Sequence, residues 1–99
     1  MEIKITNDGA TTVATLIGRL DTLAAQEIAP QMEELKDVKG TLILDCEELT
    51  YISSSGLRIF LTLRKSAAER GGKIIVRSIR NEIRSVFMMT GFLNLFDIQ

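Results

Sequence analysis

The sequence has 99 residues, of which 45% are hydrophobic and 25% are charged. This composition excludes disordered, collagen-like and membrane-spanning chains, and it predicts a single globular domain over residues 1–99. The chain contains no histidine and only one cysteine, Cys46. An internal disulfide is therefore excluded. Most hydrolase and zinc chemistry is also excluded, because those sites use an imidazole as base or ligand.

The two halves of the sequence carry opposite charge. Residues 1–49 have a net charge of −6 and residues 50–99 have one of +5, although the whole chain is close to neutral. The basic residues are neither clustered nor interleaved with aromatic side chains, so we expect no direct binding of nucleic acid. The simpler interpretation is that neighbouring elements neutralise each other.

No stretch of the sequence predicts a membrane segment. The longest apolar run is far shorter than the roughly 20 residues of a spanning helix, and no basic-then-apolar signal pattern follows Met1. We therefore expect a cytoplasmic protein without membrane insertion. The sequence leaves its oligomeric state open.

The first elements predict a β-hairpin. Ile3 and Ile5 alternate with polar residues, an Asn-Asp-Gly turn follows at residues 7–9, and residues 12–17 are again rich in β-forming side chains.

A helix is predicted after the hairpin. Asp21 or Thr22 can cap its start, and the helical pattern ends by Gly40. Pro30 lies inside this pattern and predicts that the helix is kinked or broken in two. The buried side is predicted to contain Ala24, Ile28 and Leu35.

Residues 41–46 form a continuous apolar run that predicts the central strand, covered on both faces. Cys46, at the end of this run, is interpreted as a small core side chain rather than a reactive thiol. Asp45, Glu47 and Glu48 are interpreted as a solvated turn, because no further ligands for a metal ion lie nearby in the sequence.

A second helix is predicted from residue 56 to residue 70, with its start near residues 54–57 and its end at Gly71 and Gly72. Its core side is predicted to contain Leu57, Phe60, Leu61, Ala67 and Ala68. If this assignment holds, replacing Leu57 or Leu61 with alanine destabilises the fold by about 2–5 kcal/mol.

The remaining pattern predicts a strand at residues 73–77, a helix from residue 81 to Gly91, and an edge strand at residues 95–98. Four apolar side chains near the end are interpreted as core or helix-end packing, with a soft partner-binding patch as the alternative: Met88, Met89, Phe92 and Phe96. The fold class is thus α/β, a mixed sheet of order ββαβαβα with a possible C-terminal edge strand and helices on one face or both.

A run of small residues, Ser53-Ser54-Ser55-Gly56-Leu57, lies where a strand turns into the second helix. In the structural interpretation, the hydroxyl of Ser53 or Ser54 caps the helix and Gly56 permits close packing. In the functional interpretation, the hydroxyls are exposed at a helix N-terminus, where an added phosphate would be stabilised by N–H groups and the helix dipole.

Five fragments in this order resemble the STAS domain family, most closely its stand-alone anti-sigma factor antagonists. They are Gly18-Arg19-Leu20-Asp21, Leu42-Ile43-Leu44-Asp45, Ile52-Ser53-Ser54-Ser55-Gly56-Leu57, Gly71-Gly72 and Thr90-Gly91-Phe92. The third resembles the family signature Ile-Asp-Ser-Ser-Gly-Leu, with Ser53 in place of the aspartate.

The resemblance implies a phosphorylation-controlled switch without catalytic residues, metal or cofactor. The unmodified protein would bind an anti-sigma factor that is itself a serine kinase and so free a sigma factor, and a phosphatase would reverse the modification. The resemblance implies Ser55 as the phosphorylated residue, with Ser54 as the alternative. It implies a partner-binding surface that contains Asp21, Ser53, Ser54, Gly56 and Leu57.

Two other functions compete with this one. The chain could be a STAS subunit of a lipid-transport or stress-signalling complex in which the serines are only structural. A serine hydrolase using Ser54 or Ser55 is disfavoured, because the chain has no histidine and no Gly-x-Ser-x-Gly elbow.

Overall fold

The computed structural model describes all 99 residues, which form five strands and four α-helices. The strands are β1 (Glu2–Asp8), β2 (Thr11–Leu20), β3 (Thr41–Ile52), β4 (Lys73–Arg77) and β5 (Asp97–Ile98). The helices are α1 (Thr22–Glu27), α2 (Ala29–Leu35), α3 (Ser54–Glu69) and α4 (Asn81–Thr90), followed by a 3₁₀ turn at Phe92–Asn94. The predicted α/β class and the predicted order of elements are confirmed.

The strands lie in the order in which they occur in the chain. β1 is antiparallel to β2, whereas β2, β3, β4 and β5 are parallel. β3 is the central strand, as predicted. Each parallel connection advances by one strand in the same direction, so right-handed crossovers place all the helices on the same face of the sheet.

Only this one face of the sheet is covered by helices. Leu42 and Leu44 are buried in the core, whereas Ile43 between them is half-exposed on the opposite face. The prediction that this strand is covered on both faces was therefore wrong. Ile43 is in register with Val13 and Ile75, so its apolar character belongs to a row of β-branched side chains across the uncovered face.

β3 is also longer than predicted, because the segment containing Glu47 and Glu48 is strand rather than turn. The Asp45 carboxylate accepts a hydrogen bond from Nη2 of Arg77 at 3.1 Å, where β4 ends. Beyond this point β3 pairs only with β2. Glu47 and Glu48 are exposed in this part of the strand, and Nε of Arg80 donates to the carbonyl of Glu47 at 2.8 Å.

The first predicted helix is broken into α1 and α2 at Ile28, and Pro30 lies in the first turn of α2. The proline ring would clash with the carbonyl of Gln26 in a continuous helix, so the break avoids that clash. The predicted buried side of these helices, Ala24, Ile28 and Leu35, is confirmed.

The buried stripe of α3 differs from the predicted one on one flank. Leu57, Phe60 and Ala67 are buried as predicted, and Leu63, which the sequence interpretation missed, is 1% exposed. Leu61 is 36% exposed and Ala68 is also exposed, so their assignment to the core was wrong. The stripe advances by three or four residues through Leu57, Phe60, Leu63 and Ala67, and at about 100° per residue Leu61 falls outside it.

An aromatic cluster closes the C-terminal end of the core. Phe60 packs edge-to-face against Phe87 with ring centroids 6.0 Å apart, and Phe92 and Phe96 join the same cluster. The interpretation as core or helix-end packing is confirmed for Phe92 and Phe96, which pack in or against the core. It was wrong for Met88 and Met89, which are 63% and 87% exposed. α4 buries only the face containing Ile83 and Phe87, and these methionines lie outside it. The edge strand is confirmed but is limited to Asp97–Ile98.

The revised stripe gives a direct stability test. We expect Leu57→Ala to lower the free energy of unfolding by about 2–5 kcal/mol, because it leaves a cavity in the core. We expect Leu61→Ala to change it by about 0.5 kcal/mol, as exposed substitutions generally do. Urea unfolding of both variants measures the difference. Equal destabilisation would contradict the buried stripe.

Replacement of Pro30 is expected to have little effect on the stability of the fold. A proline in the first helical turn loses no hydrogen bond, so Pro30→Ala should change the free energy of unfolding by less than about 1 kcal/mol. The control is Glu33→Pro in the interior of α2, which should cost about 3 kcal/mol. If Pro30→Ala stabilised the protein by as much as that control destabilises it, Pro30 would be a strained interior residue.

Candidate functional site

The candidate site is built on the paired ends of β2 and β3. Leu20 and Ile52 are in register, and the backbone N–H of Ser53 donates to the carbonyl of Leu20 at 2.8 Å. The residues that follow, Asp21 and Ser53, cap α1 and α3 respectively. The parallel pairing of two strands therefore brings two helix N-termini together at one edge of the sheet.

Both caps use side-chain oxygens in the expected way. Oδ1 of Asp21 accepts from the N–H of Ala24 at 2.8 Å, and Oγ of Ser53 accepts from the N–H of Gly56 at 3.2 Å. The sequence left two alternatives open for each cap, and the structure selects Asp21 and Ser53. Each cap satisfies a backbone donor that has no partner inside the helix.

Gly56 allows α3 to approach the sheet closely. A Cβ atom at this position would lie 2.7 Å from Cγ of Leu20 and 2.8 Å from Cγ1 of Ile52, which is too close for any side chain without movement. Leu57, the next residue, is 7% exposed. Gly56 and Leu57 are therefore buried and hold the helix in place, whereas the residues before them reach the surface.

The three serines lie in different environments. Ser53 is half-buried and occupied by its capping bond, Ser54 is exposed at the first position of α3, and Ser55 is half-buried at the second. The hydroxyls of Ser54 and Ser55 form no hydrogen bond within the chain. No acidic side chain occupies the first turn of α3. Two free hydroxyls thus stand at a helix N-terminus whose positive end is not neutralised locally.

Exposed apolar and aromatic groups surround this edge of the sheet. Leu23 is 64% exposed on α1, and the guanidinium of Arg19 lies 4.3 Å from the centroid of the Tyr51 ring. A shallow depression of about 340 Å³ contains Arg19, Asp21 and Leu23. The sequence interpretation missed Arg19, Leu23 and Tyr51. Leu23 could have been found, because it lies off the side of the helix that carries Ala24.

A larger groove runs between α1 and α2 on one side and α3 on the other. It has a volume of about 360 Å³, and we call it the α2–α3 groove. Ser55 lines one part of it, together with Thr22 and Arg58. Of the candidate serines, only Ser55 belongs to this groove.

Other chemistry-bearing residues are occupied or buried. Asp45 is paired with Arg77, and no group of three acidic, cysteine or histidine side chains is arranged to hold a metal ion. Cys46 lies in the core as predicted, where burial and the neighbouring Asp45 raise the pKa of its thiol to about 12. The reactive thiolate is therefore strongly disfavoured at neutral pH. None of the helices has the length and apolar character required to cross a membrane.

Proteins with similar sequences include several anti-sigma factor antagonists. A putative anti-sigma factor antagonist of Bordetella bronchiseptica, BtrV, is 31% identical over 88 residues, which is 87% of this chain and 75% of the relative. An anti-sigma-B factor antagonist of Bacillus subtilis is 22% identical over 83 residues, covering 84% of this chain and 76% of the relative.

Solved structures of an anti-sigma factor antagonist have the same fold as this chain. The anti-sigma factor antagonist SpoIIAA in its unphosphorylated form matches with a TM-score of 0.76 at 21% identity, covering 99% of this chain and 87% of that one. The Bacillus SpoIIAA in its phosphorylated form matches with the same TM-score at 22% identity, covering 99% and 91%.

The family model agrees with these similarities and extends over nearly the entire sequence. The model for the STAS domain matches residues 2–99. The strand order, the helices on one face and the serine-rich start of α3 lie within that match. This chain belongs to the STAS domain family.

Proposed function

We propose that this chain is an anti-sigma factor antagonist of the bacterial cytoplasm whose partner binding is switched off by phosphorylation of Ser55. In its unmodified form it binds an anti-sigma factor that is a serine kinase, and thereby frees a sigma factor for transcription. A phosphatase restores the binding form. The observation that carries this proposal is the unpaired Ser55 hydroxyl in the first turn of α3, beside a cap that Ser53 already supplies.

The division of roles among the serines supports a switch that leaves the fold unchanged. Because Ser53 makes the capping bond, a group added to Ser55 removes no hydrogen bond from the folded chain. A phosphate would add about −1.5 to −2 charges at neutral pH. At the N-terminus of a helix such a charge is favourable, since free N–H groups and the helix dipole stabilise it.

The same charge would be unfavourable inside an interface. A partner that packs against the starts of α1 and α3 meets Asp21, the serines and the exposed Leu23 in one surface. Desolvating a phosphate against apolar or acidic groups of the partner can cost several kcal/mol, and about 4 kcal/mol already weakens affinity roughly a thousandfold. The charge therefore changes the surface without changing the scaffold.

Ser53 marks a departure from the family signature, which has aspartate at this position. Its hydroxyl still accepts the N–H of Gly56, so the cap is preserved. The negative charge is lost, and with it a dipole interaction of about 0.3–1 kcal/mol. A kinase or partner that contacts residue 53 would contact a neutral hydroxyl instead of a carboxylate. We therefore expect the cognate partner to tolerate serine at this position.

The switch is tested by mapping phosphate after incubation of the unmodified chain with its cognate anti-sigma kinase and ATP. We expect phosphate on Ser55 in the wild type and in Ser54→Ala, and none in Ser55→Ala. Mass spectrometry of the tryptic peptides locates it. Phosphate on Ser53 or Ser54 alone would contradict the residue assignment, and no phosphate at all would favour the alternative, a STAS subunit of a lipid-transport or stress-signalling complex.

Partner affinity gives the second half of the test. We expect Ser55→Ala to bind the anti-sigma factor like the wild type, and Ser55→Asp to bind it far more weakly, because the carboxylate places a charge in the interface. Isothermal titration calorimetry measures both, with Ser54→Ala as the matched control. Equal affinity of folded Ser55→Ala and Ser55→Asp would reject the switch.

Because Ser53 caps α3, we expect its replacement to lower the stability of the fold. Ser53→Ala should lower the free energy of unfolding by about 0.5–2 kcal/mol, whereas Ser53→Asp should retain the cap. Ser54→Ala and Ser55→Ala, which remove no hydrogen bond, serve as controls in the same thermal or urea unfolding series. A loss for Ser55→Ala as large as that for Ser53→Ala would contradict this division of roles.

A further inference from the structure

The α2–α3 groove has the dimensions and the lining of a small-molecule site. Its volume of about 360 Å³ lies within the range of roughly 300–1,000 Å³ that is typical of ligand pockets. A ligand in this groove goes beyond the proposed function.

The floor of the groove is apolar. Met32 and Leu63 are 5% and 1% exposed at its base, and Ala25, Ala29 and Ile59 complete the apolar lining. An alkyl chain in this position would be removed from water on the side that faces the protein. Burial of apolar surface is the main favourable term for a ligand of this kind.

The rim carries one charge that is not compensated. Glu33 and Lys36 neutralise each other, with Nζ of Lys36 donating to Oε1 of Glu33 at 2.8 Å. Arg58, the only other charged residue in the lining, belongs to no ion pair of the chain. A guanidinium at the edge of an apolar floor matches a carboxylate, which it can bind with two parallel hydrogen bonds.

We propose that the α2–α3 groove binds a medium-chain carboxylate, with its alkyl chain on the floor formed by Met32, Ile59 and Leu63 and its carboxylate on Arg58. A groove at the lower end of the ligand-pocket range suits a short amphiphile rather than a long lipid, so a carboxylate of about ten carbons serves as the probe. Ser55 lines the same groove, so a bound carboxylate and a negative charge at Ser55 would oppose each other.

The test is an NMR titration of the ¹⁵N-labelled chain with sodium decanoate, kept below its micelle-forming concentration. We expect saturable amide shifts at Ala25, Met32 and Ile59. Acetate, which lacks the chain, and decyltrimethylammonium, which has the same chain and the opposite charge, should produce no saturable shift at these positions. No saturable shift with decanoate, or equal affinity for the cationic amphiphile, would overturn the proposal.

Two variants separate the headgroup site from the alkyl site. Arg58→Gln should weaken decanoate binding about tenfold, in line with the loss of a hydrogen bond to a charged group, and Arg58→Lys should restore part of it. Ala29→Phe should abolish binding by filling the groove from an exposed position. The matched control is Arg84→Gln on α4, outside the groove, which should bind like the wild type.

Each variant is first compared with the wild type by thermal unfolding, so that a loss of binding is read only from folded protein. Wild-type affinity in either Arg58→Gln or Ala29→Phe would overturn the assignment of the site. A loss in Arg84→Gln as large as that in Arg58→Gln would also overturn it, because binding would then follow total charge.

Discussion

The structure depends on the contact between the first turn of α3 and the paired ends of β2 and β3. The N–H of Ser53 is bonded to the carbonyl of Leu20, and Gly56 lies so close to Leu20 and Ile52 that a Cβ at this position would force their side chains or the helix to move. This contact sets the position of the serines, one wall of the α2–α3 groove, and the buried stripe that begins at Leu57.

Charge is distributed unevenly over this scaffold. The sequence places most of its acids in the first half and most of its bases in the second, and Asp45–Arg77 is the only ion pair that joins the two halves. The sequence led us to expect that neighbouring elements of opposite charge neutralise each other, but ion pairs between the two halves do so only at this one position. Exposed cations such as Arg58 remain unpaired along α3, and its first turn has no acidic residue. The helix that carries the candidate switch is thus already favourable for negative charge.

The order and type of the elements could be predicted, because alternation, caps and glycine stops act locally. Asp21, Ser53 and the glycines after α3 mark helix ends by their own backbone chemistry. Other features depend on tertiary context. The extension of β3 through Glu47 and Glu48 arises because β2 continues to Leu20 and pairs with β3 as far as Ile52, which no pattern within β3 reveals.

Side-chain burial was predicted less well than element type, for the same reason. Leu61 fits a helical repeat counted from Leu57, yet it is exposed because the sheet contacts only the stripe centred between Phe60 and Leu63. The uncovered face of the sheet follows from the direction of the crossovers rather than from the composition of residues 41–46. At the candidate site the serines could be found from sequence, whereas the α2–α3 groove required the packing of two helices that are distant in the chain.

In the proposed switch, a phosphate at Ser55 alters the surface and leaves the scaffold intact. The most direct test compares amide chemical shifts of the unmodified chain with those of a chain that carries genetically encoded phosphoserine at position 55. We expect changes confined to the start of α3 and the neighbouring start of α1, with Leu44, Phe60 and Val76 unchanged in the core. Shift changes throughout β3 and the core, or loss of helical signals from α3, would contradict it.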